Sequence, residues 1–288
     1  GRSFVTGISG ESFGVMHRVL ADFLRGLCGA EEPRDACAAL QSVLTLPAIG
    51  EPKQYEALAR VAVHAEALLA REAPLGTAGI ELGLRVGQLY NNMQRPRETE
   101  PILRRAYAQA KASLPADDPT RLVAEANLAL NLVTLGLIGE ARPLQEANLR
   151  AWEAKGGDDR GLLAARSNLA LTLQLVGDAA GAYAEHAKVL ALCEERHGAE
   201  HPATLNATLA LANAELQRGD TAAAIRLQER ALAGYRKLGE PARPTVLTAS
   251  GALAQMQHVQ GNLPAARVTI EETLAAAAGV WAADDPTL

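Results

Sequence analysis

Four glycines, Gly136, Gly177, Gly219 and Gly261, follow one another at steps of 41, 42 and 42 residues. A fixed period of that length restricts a chain to architectures in which one supersecondary unit stacks on the next. Each glycine lies between two runs with helical apolar spacing, and Gln94, 42 residues before Gly136, takes the same place in an earlier unit. Seven residues before each anchor the side chain is small: Gly87, Ala129, Ala170, Ala212 and Ala254. Five residues after it the chain has Thr99, Ala141, Ala182, Ala224 and Ala266. Small residues at matched points of two antiparallel helices let their backbones approach closely, so one unit is a helical hairpin.

The residue before each small one is apolar, namely Val86, Leu128, Leu169, Leu211 and Leu253. The second helices add Tyr107, Leu149, Leu190, Leu232 and Leu274. A lone hairpin cannot bury both stripes, so neighbours must stack into a solenoid. Asp118-Pro119, His201-Pro202, Arg243-Pro244 and Asp285-Pro286 open successive units, where proline suits a helix start. Composition points the same way: aromatics are 3% of the 288 residues, and alanine and leucine fill runs such as Leu122 to Leu137 and Ala203 to Leu216. Sheets favour β-branched and aromatic side chains, so the expected class is all-α.

The small-large pattern resembles the tetratricopeptide repeat, and its long period narrows the likeness. Glu194 to Leu205, with Gly198, His201-Pro202 and Thr204-Leu205, is similar to the inter-repeat loop of the kinesin-light-chain type. Asn127-Leu128-Ala129 and Asn168-Leu169-Ala170 resemble the core of that repeat. Gln94 in place of an anchor glycine, and Gly156-Gly157-Asp158-Asp159 in place of a His-Pro loop, depart from it. The resemblance implies a right-handed superhelical solenoid of about five hairpins over 76–288, with units at about 76–118, 119–159, 160–201, 202–243 and 244–286. Because Asp284-Asp285-Pro286-Thr287-Leu288 is in phase with the openings of earlier units, the chain is expected to be a piece of a longer protein.

Ahead of the repeats, Ser3 to Ile8 and Ser12 to Met16 are apolar runs joined by Gly10-Glu11, which reads as a small β-hairpin before a helix from His17 to Leu27. Val15-Met16-His17-Arg18-Val19-Leu20 resembles the Met-His-Asp signature in the winged-helix part of NB-ARC-type (STAND) signalling NTPases, with Arg18 replacing the acidic residue. The resemblance makes 1–27 a winged-helix remnant, 28–75 a helical spacer, and His17 a nucleotide-phosphate sensor for ADP or ATP in an intact parent. Read from the residues alone, His17 is more simply a packed or capping histidine at a helix start. The spacer carries two helical patterns, Arg34 to Leu46 and Lys53 to Leu69.

Two catalytic signatures are missing from the sequence. Gly7-Ile8-Ser9-Gly10-Glu11-Ser12 has spare glycines but no lysine for a phosphate loop. HExxH is also absent, so the region is expected to hold no cofactor and to be no enzyme. His186, His197 and His201 lie near Cys193, yet they fall on a helix and in the loop pattern, which argues against a metal site. The three cysteines have no paired framework and read as reduced thiols. With a net charge of −5 and interspersed charges, no basic footprint for nucleic acid stands out. Neither a long apolar run nor an export signal is apparent, so no membrane is implicated and the expected compartment is cytoplasmic.

The remaining functional surface is the inner face of the solenoid, lined by the first helices. Counting back 13, 9, 6 and 2 residues from each anchor selects one helical face. It comprises Glu81, Arg85, Gln88 and Asn92, then Val123, Asn127, Leu130 and Thr134, then Ala164, Asn168, Leu171 and Leu175. Asn206, Ala210, Asn213 and Gln217, and finally Thr248, Ala252, Gln255 and Val259, continue it. Amides can hydrogen-bond an extended peptide whatever its sequence, so the expected partner is a protein or peptide ligand. In the NB-ARC reading the parent's own NTPase domain is a further candidate. The same amides could instead bridge neighbouring helices.

Overall fold

The structure, a computed structural model, describes residues 33–44, 52–70, 75–156, 159–239 and 242–281. The expected β-hairpin, the helix from His17 to Leu27 and the Met16-His17 motif lie outside the described residues. Among the described residues there are twelve helices and no strand. They are α1 (Pro33–Val43), α2 (Pro52–Leu69), α3 (Gly76–Asn92), α4 (Pro96–Ser113), α5 (Pro119–Thr134) and α6 (Ile138–Lys155), followed by α7 (Asp159–Leu175), α8 (Ala179–His197), α9 (Pro202–Arg218), α10 (Thr221–Lys237), α11 (Arg243–Val259) and α12 (Leu263–Trp281).

The periodic anchor is the turn of a hairpin. Gln94, Gly136, Gly177, Gly219 and Gly261 all have positive φ, from 58° to 90°. The next residue donates its N–H to a carbonyl five residues back, as in Leu137 to Leu132 (2.8 Å), Asp178 to Leu173 (2.9 Å) and Asp220 to Glu215 (3.0 Å). That bond satisfies carbonyls orphaned at a helix C-terminus, and the left-handed residue it requires is cheapest as glycine. In the last three hairpins the residue after the anchor also caps the second helix. Asp178, Asp220 and Asn262 accept from the N–H of Gly181 (2.9 Å), Ala223 (2.8 Å) and Ala265 (3.3 Å). The first helices α5 and α9 start on Pro119 and Pro202, and Asp118 and His201 cap them through Thr120 N–H (2.8 Å) and Ala203 N–H (3.2 Å).

The small positions do what their spacing requires: Ala129, Ala170, Ala212 and Ala254, with Thr99, Ala141, Ala182, Ala224 and Ala266, are all buried in the seams between paired helices. Leu128, Leu169, Leu211 and Leu253 are buried beside them, each contributing about 1.5–3 kcal/mol by leaving water.

The chain divides into two compact units, one ending at Lys155 and one beginning at Gly156. In the first, α1 and α2 both pack on α3, and the hairpins α3/α4 and α5/α6 follow. The spacer thus shares a core with the first hairpin, through Cys37, Leu40, Val61 and Leu68 against Leu82, Val86 and Leu89. Its helices are observed at Pro33–Val43 and Pro52–Leu69. In the second unit each helix from α7 to α12 packs on the next. Leu190 of α8 and Leu232 of α10 are buried against α9 and α11 respectively. The corresponding Leu274 of α12 is 63% exposed, because no described helix lies beyond α12 to cover it. No helix among the described residues is long and apolar enough to cross a membrane.

Candidate functional site

One face of every first helix stays open to solvent. In the first unit, α3 exposes Glu81, Arg85, Gln88 and Asn92, and α5 exposes Val123, Leu130 and Thr134 with Asn127 half-buried among them. In the second, α7 exposes Ala164, Leu171 and Leu175, α9 exposes Asn206, Asn213 and Gln217, and α11 exposes Thr248, Gln255 and Val259. Asn168, Ala210 and Ala252, at the position of Asn127, are half-buried as well. The spacing of 4, 3 and 4 residues puts these side chains on one stripe, while the seam residues between them turn into the core.

Large apolar groups stand in the open there: Leu171 is 43% exposed, Leu175 60% and Val259 61%. Glu81 and Arg85 are the only charged residues of the twenty, so α7, α9 and α11 carry no charge at these positions. The amides divide by what holds them. Asn206 Oδ1 accepts from the Tyr235 hydroxyl at 2.6 Å, Asn92 donates to the Tyr55 hydroxyl at 3.4 Å, and Gln88 donates to Asn92 at 2.9 Å. Glu81 accepts from Gln41 at 3.5 Å. These side chains serve as struts. By contrast, the side chains of Asn127, Asn168, Asn213, Gln217 and Gln255 make no hydrogen bond among the described residues.

Of the histidines near Cys193, one is packed inside and two stack on each other. His186 is buried, its Nε2 lies 3.2 Å from Gln174 Oε1, and burial pushes its pKa below the ordinary range against a smaller opposing pull from Glu185. His197 and His201 stack with ring centroids 4.6 Å apart. No cluster of three metal-ligating side chains occurs among the described residues. Cys37 and Cys193 are buried and form no disulfide among the described residues, and burial raises the pKa of Cys193.

The family model for the tetratricopeptide repeat matches residues 161–237 and 209–278. Residues 161–278 are thus similar to tetratricopeptide repeats. The tetratricopeptide-like fold extends further along the chain, as solved structures show. A putative kinesin light chain of Podosopora anserina with nearly identical tetratricopeptide-like repeats aligns at TM-score 0.63 and 23% identity, over 70% of this chain and 95% of that one. BtubC (BKLC) from P. vanneervenii aligns at TM-score 0.63 and 16% identity, over 90% and 96%. A Rap protein complexed with competence and sporulation factor aligns at TM-score 0.61 and 11% identity, over 96% and 79%. No curated protein sequence matches the chain.

Proposed function

We propose that the open faces of the first helices bind a protein segment in extended form, and that this region is the ligand-sensing, autoregulatory arm of a larger NB-ARC-like signalling NTPase. The observation that carries the binding reading is the stripe of exposed apolar side chains flanked by unengaged amides. Leu171, Leu175 and Val259 stand in water beside Asn168, Asn213 and Gln255, on a face with no charge at the stripe positions. Apolar groups offer a seat for a side chain, and amides pair with a peptide backbone through both donor and acceptor. Tetratricopeptide repeats are protein-interaction modules, and one of the similar folds, the Rap protein, is recorded in complex with competence and sporulation factor.

Partner capture with the intact parent, followed by calorimetry on the captured partner, tests the binding face. Asn127→Ala with Asn168→Ala should change stability by no more than about 1 kcal/mol, since both sites are partly solvated and alanine is the better helix former. Each lost hydrogen bond should weaken binding by up to about tenfold. A double variant that melts far lower yet binds normally would make these amides struts, like Asn206.

The NTPase part rests on the Met16-His17 motif ahead of long repeats. It requires a phosphate loop within about 300 residues upstream, one or two domain lengths, in the parent gene. A second reading, a free-standing adaptor of kinesin-light-chain type, is favoured by the Gly198 to Leu205 loop. There Thr204 Oγ donates to the carbonyls of Gly198 (2.7 Å) and Cys193 (3.2 Å) and locks the inter-hairpin turn. That reading predicts a coiled coil, or nothing, upstream.

A further inference from the structure

Helices α7, α9 and α11 of the second unit hold six acidic, lysine or arginine residues between them, and none falls on their twelve stripe positions. Asp159 and Arg160 open α7, ahead of its first stripe residue, Ala164. The other four are engaged within the unit. Arg166 lies 2.6 Å from Glu185 of α8 with both side chains largely buried, and Arg218 lies 3.1 Å from Glu215 and packs over the Tyr183 ring. Arg243 donates to the Ala276 carbonyl at 2.9 Å. The first unit differs, since Ala210 and Ala252 stand where α3 carries Arg85.

We infer that the open face of the second unit selects an extended segment without charged side chains, one that gives an apolar residue to α7 and its backbone to α9 and α11. This selectivity rests on the peptide-binding reading proposed above. A carboxylate or ammonium group laid on the face would give up water and meet no counter-charge, a cost that an uncharged side chain escapes.

The groups that remain suit a peptide backbone. Asn213, Gln217 and Gln255 have no hydrogen-bond partner among the described residues, and each amide supplies the donor and the acceptor that a peptide unit requires. Leu171 and Leu175 offer exposed apolar surface on α7, and Val259 does so on α11. The short side chains of Ala210 and Ala252 leave room for the segment's main chain.

Selection from a displayed library of random twelve-residue peptides on the 288-residue chain, at pH 8 where imidazole is uncharged, tests the selectivity. Dependence on the face is read as loss of capture by the double variant Leu175→Ser, Gln255→Ala. Both side chains are exposed, and circular dichroism should report an unchanged fold. Enriched peptides should contain about six consecutive residues free of Asp, Glu, Lys and Arg, about 20 Å in extended form, with an aliphatic or Phe residue among them. In calorimetry on the best of them, a central residue changed to Asp or, separately, to Lys should weaken binding tenfold or more. Raising NaCl from 0.05 to 0.5 M should change its affinity less than twofold. Face-dependent peptides charged through the bound stretch, an Asp or Lys variant that binds as well as the selected peptide, or affinity that falls steeply with salt would overturn the selectivity and leave the face a peptide site. Enrichment indifferent to the double variant, or no enrichment, would remove both the selectivity and the binding reading beneath it. A dimer in sedimentation that the double variant abolishes would assign the face to a second copy instead.

Discussion

Replacing Gln94 by glycine should stabilise the protein, although it deletes a side chain. Gln94 occupies the turn position that glycine holds in the other four hairpins, and it is the one non-glycine residue among those described with positive φ, at 58°. A residue with a Cβ in the left-handed region carries a penalty of about 1–2 kcal/mol. Glycine avoids it but gives back about 0.5–1 kcal/mol through the greater freedom of the unfolded chain. The side chain of Gln94 is exposed, and the hydrogen bond at the turn, Arg95 N–H to the Tyr90 carbonyl at 2.9 Å, belongs to the backbone and survives the change. The net gain is therefore about 0.5–1 kcal/mol, or about 1–4 °C in the melting temperature of a unit this size. Gly219→Ala is the mirror experiment. No atom lies within 4 Å of the added Cβ and φ is 90°, so its loss is purely conformational, about 1 kcal/mol or slightly more. Urea and thermal unfolding followed by circular dichroism read both. If Gln94→Gly lowers the midpoint while Gly219→Ala behaves as expected, the turn logic fails at the first hairpin and Gln94 holds something through its side chain.

Two further changes probe the core. Leu169→Ala, in the seam of the α7/α8 hairpin, should cost about 2–5 kcal/mol by leaving a cavity, seen as a large drop in the urea midpoint. His186 is held neutral by burial, so its folded pKa lies below the ordinary value of 6.5. Its contribution is then complete above about pH 6.5 and is lost as pH falls below that, because the unfolded chain takes up the proton first. His186→Gln, which installs the residue found at the matching positions Gln145 and Gln228, should flatten the fall in melting temperature between pH 7 and 5.

The repeat was legible because its cause is steric and local. A residue such as Ala170 or Ala182 must be small wherever two helices cross closely, whatever surrounds them, so period and hairpin could both be read from spacing. The outward face followed from the same arithmetic, since a residue not on the seam stripe of a 3.6-residue helix points elsewhere. Which amides on that face are free was not legible: Asn206 and Asn213 are one residue type on one stripe, and only the approach of Tyr235 from α10 ties the first and leaves the second. Gly76, Gly79, Gly83 and Gly87 crowd one helix despite the cost of glycine in a helix interior. Read alone, such a run signals only close packing, and three of the four bear that out: a Cβ on Gly79 would meet Leu75 at 2.5 Å, one on Gly87 would meet Leu103 at 2.6 Å and one on Gly83 would meet Ala106 at 3.2 Å. What the run omits is visible only when hairpins are compared position by position. Arg121 and Glu125 stand in α5 where α3 has Gly79 and Gly83, whose places are closed by Leu75 and Ala106, so the close approach is the difference between two repeats rather than a property of either.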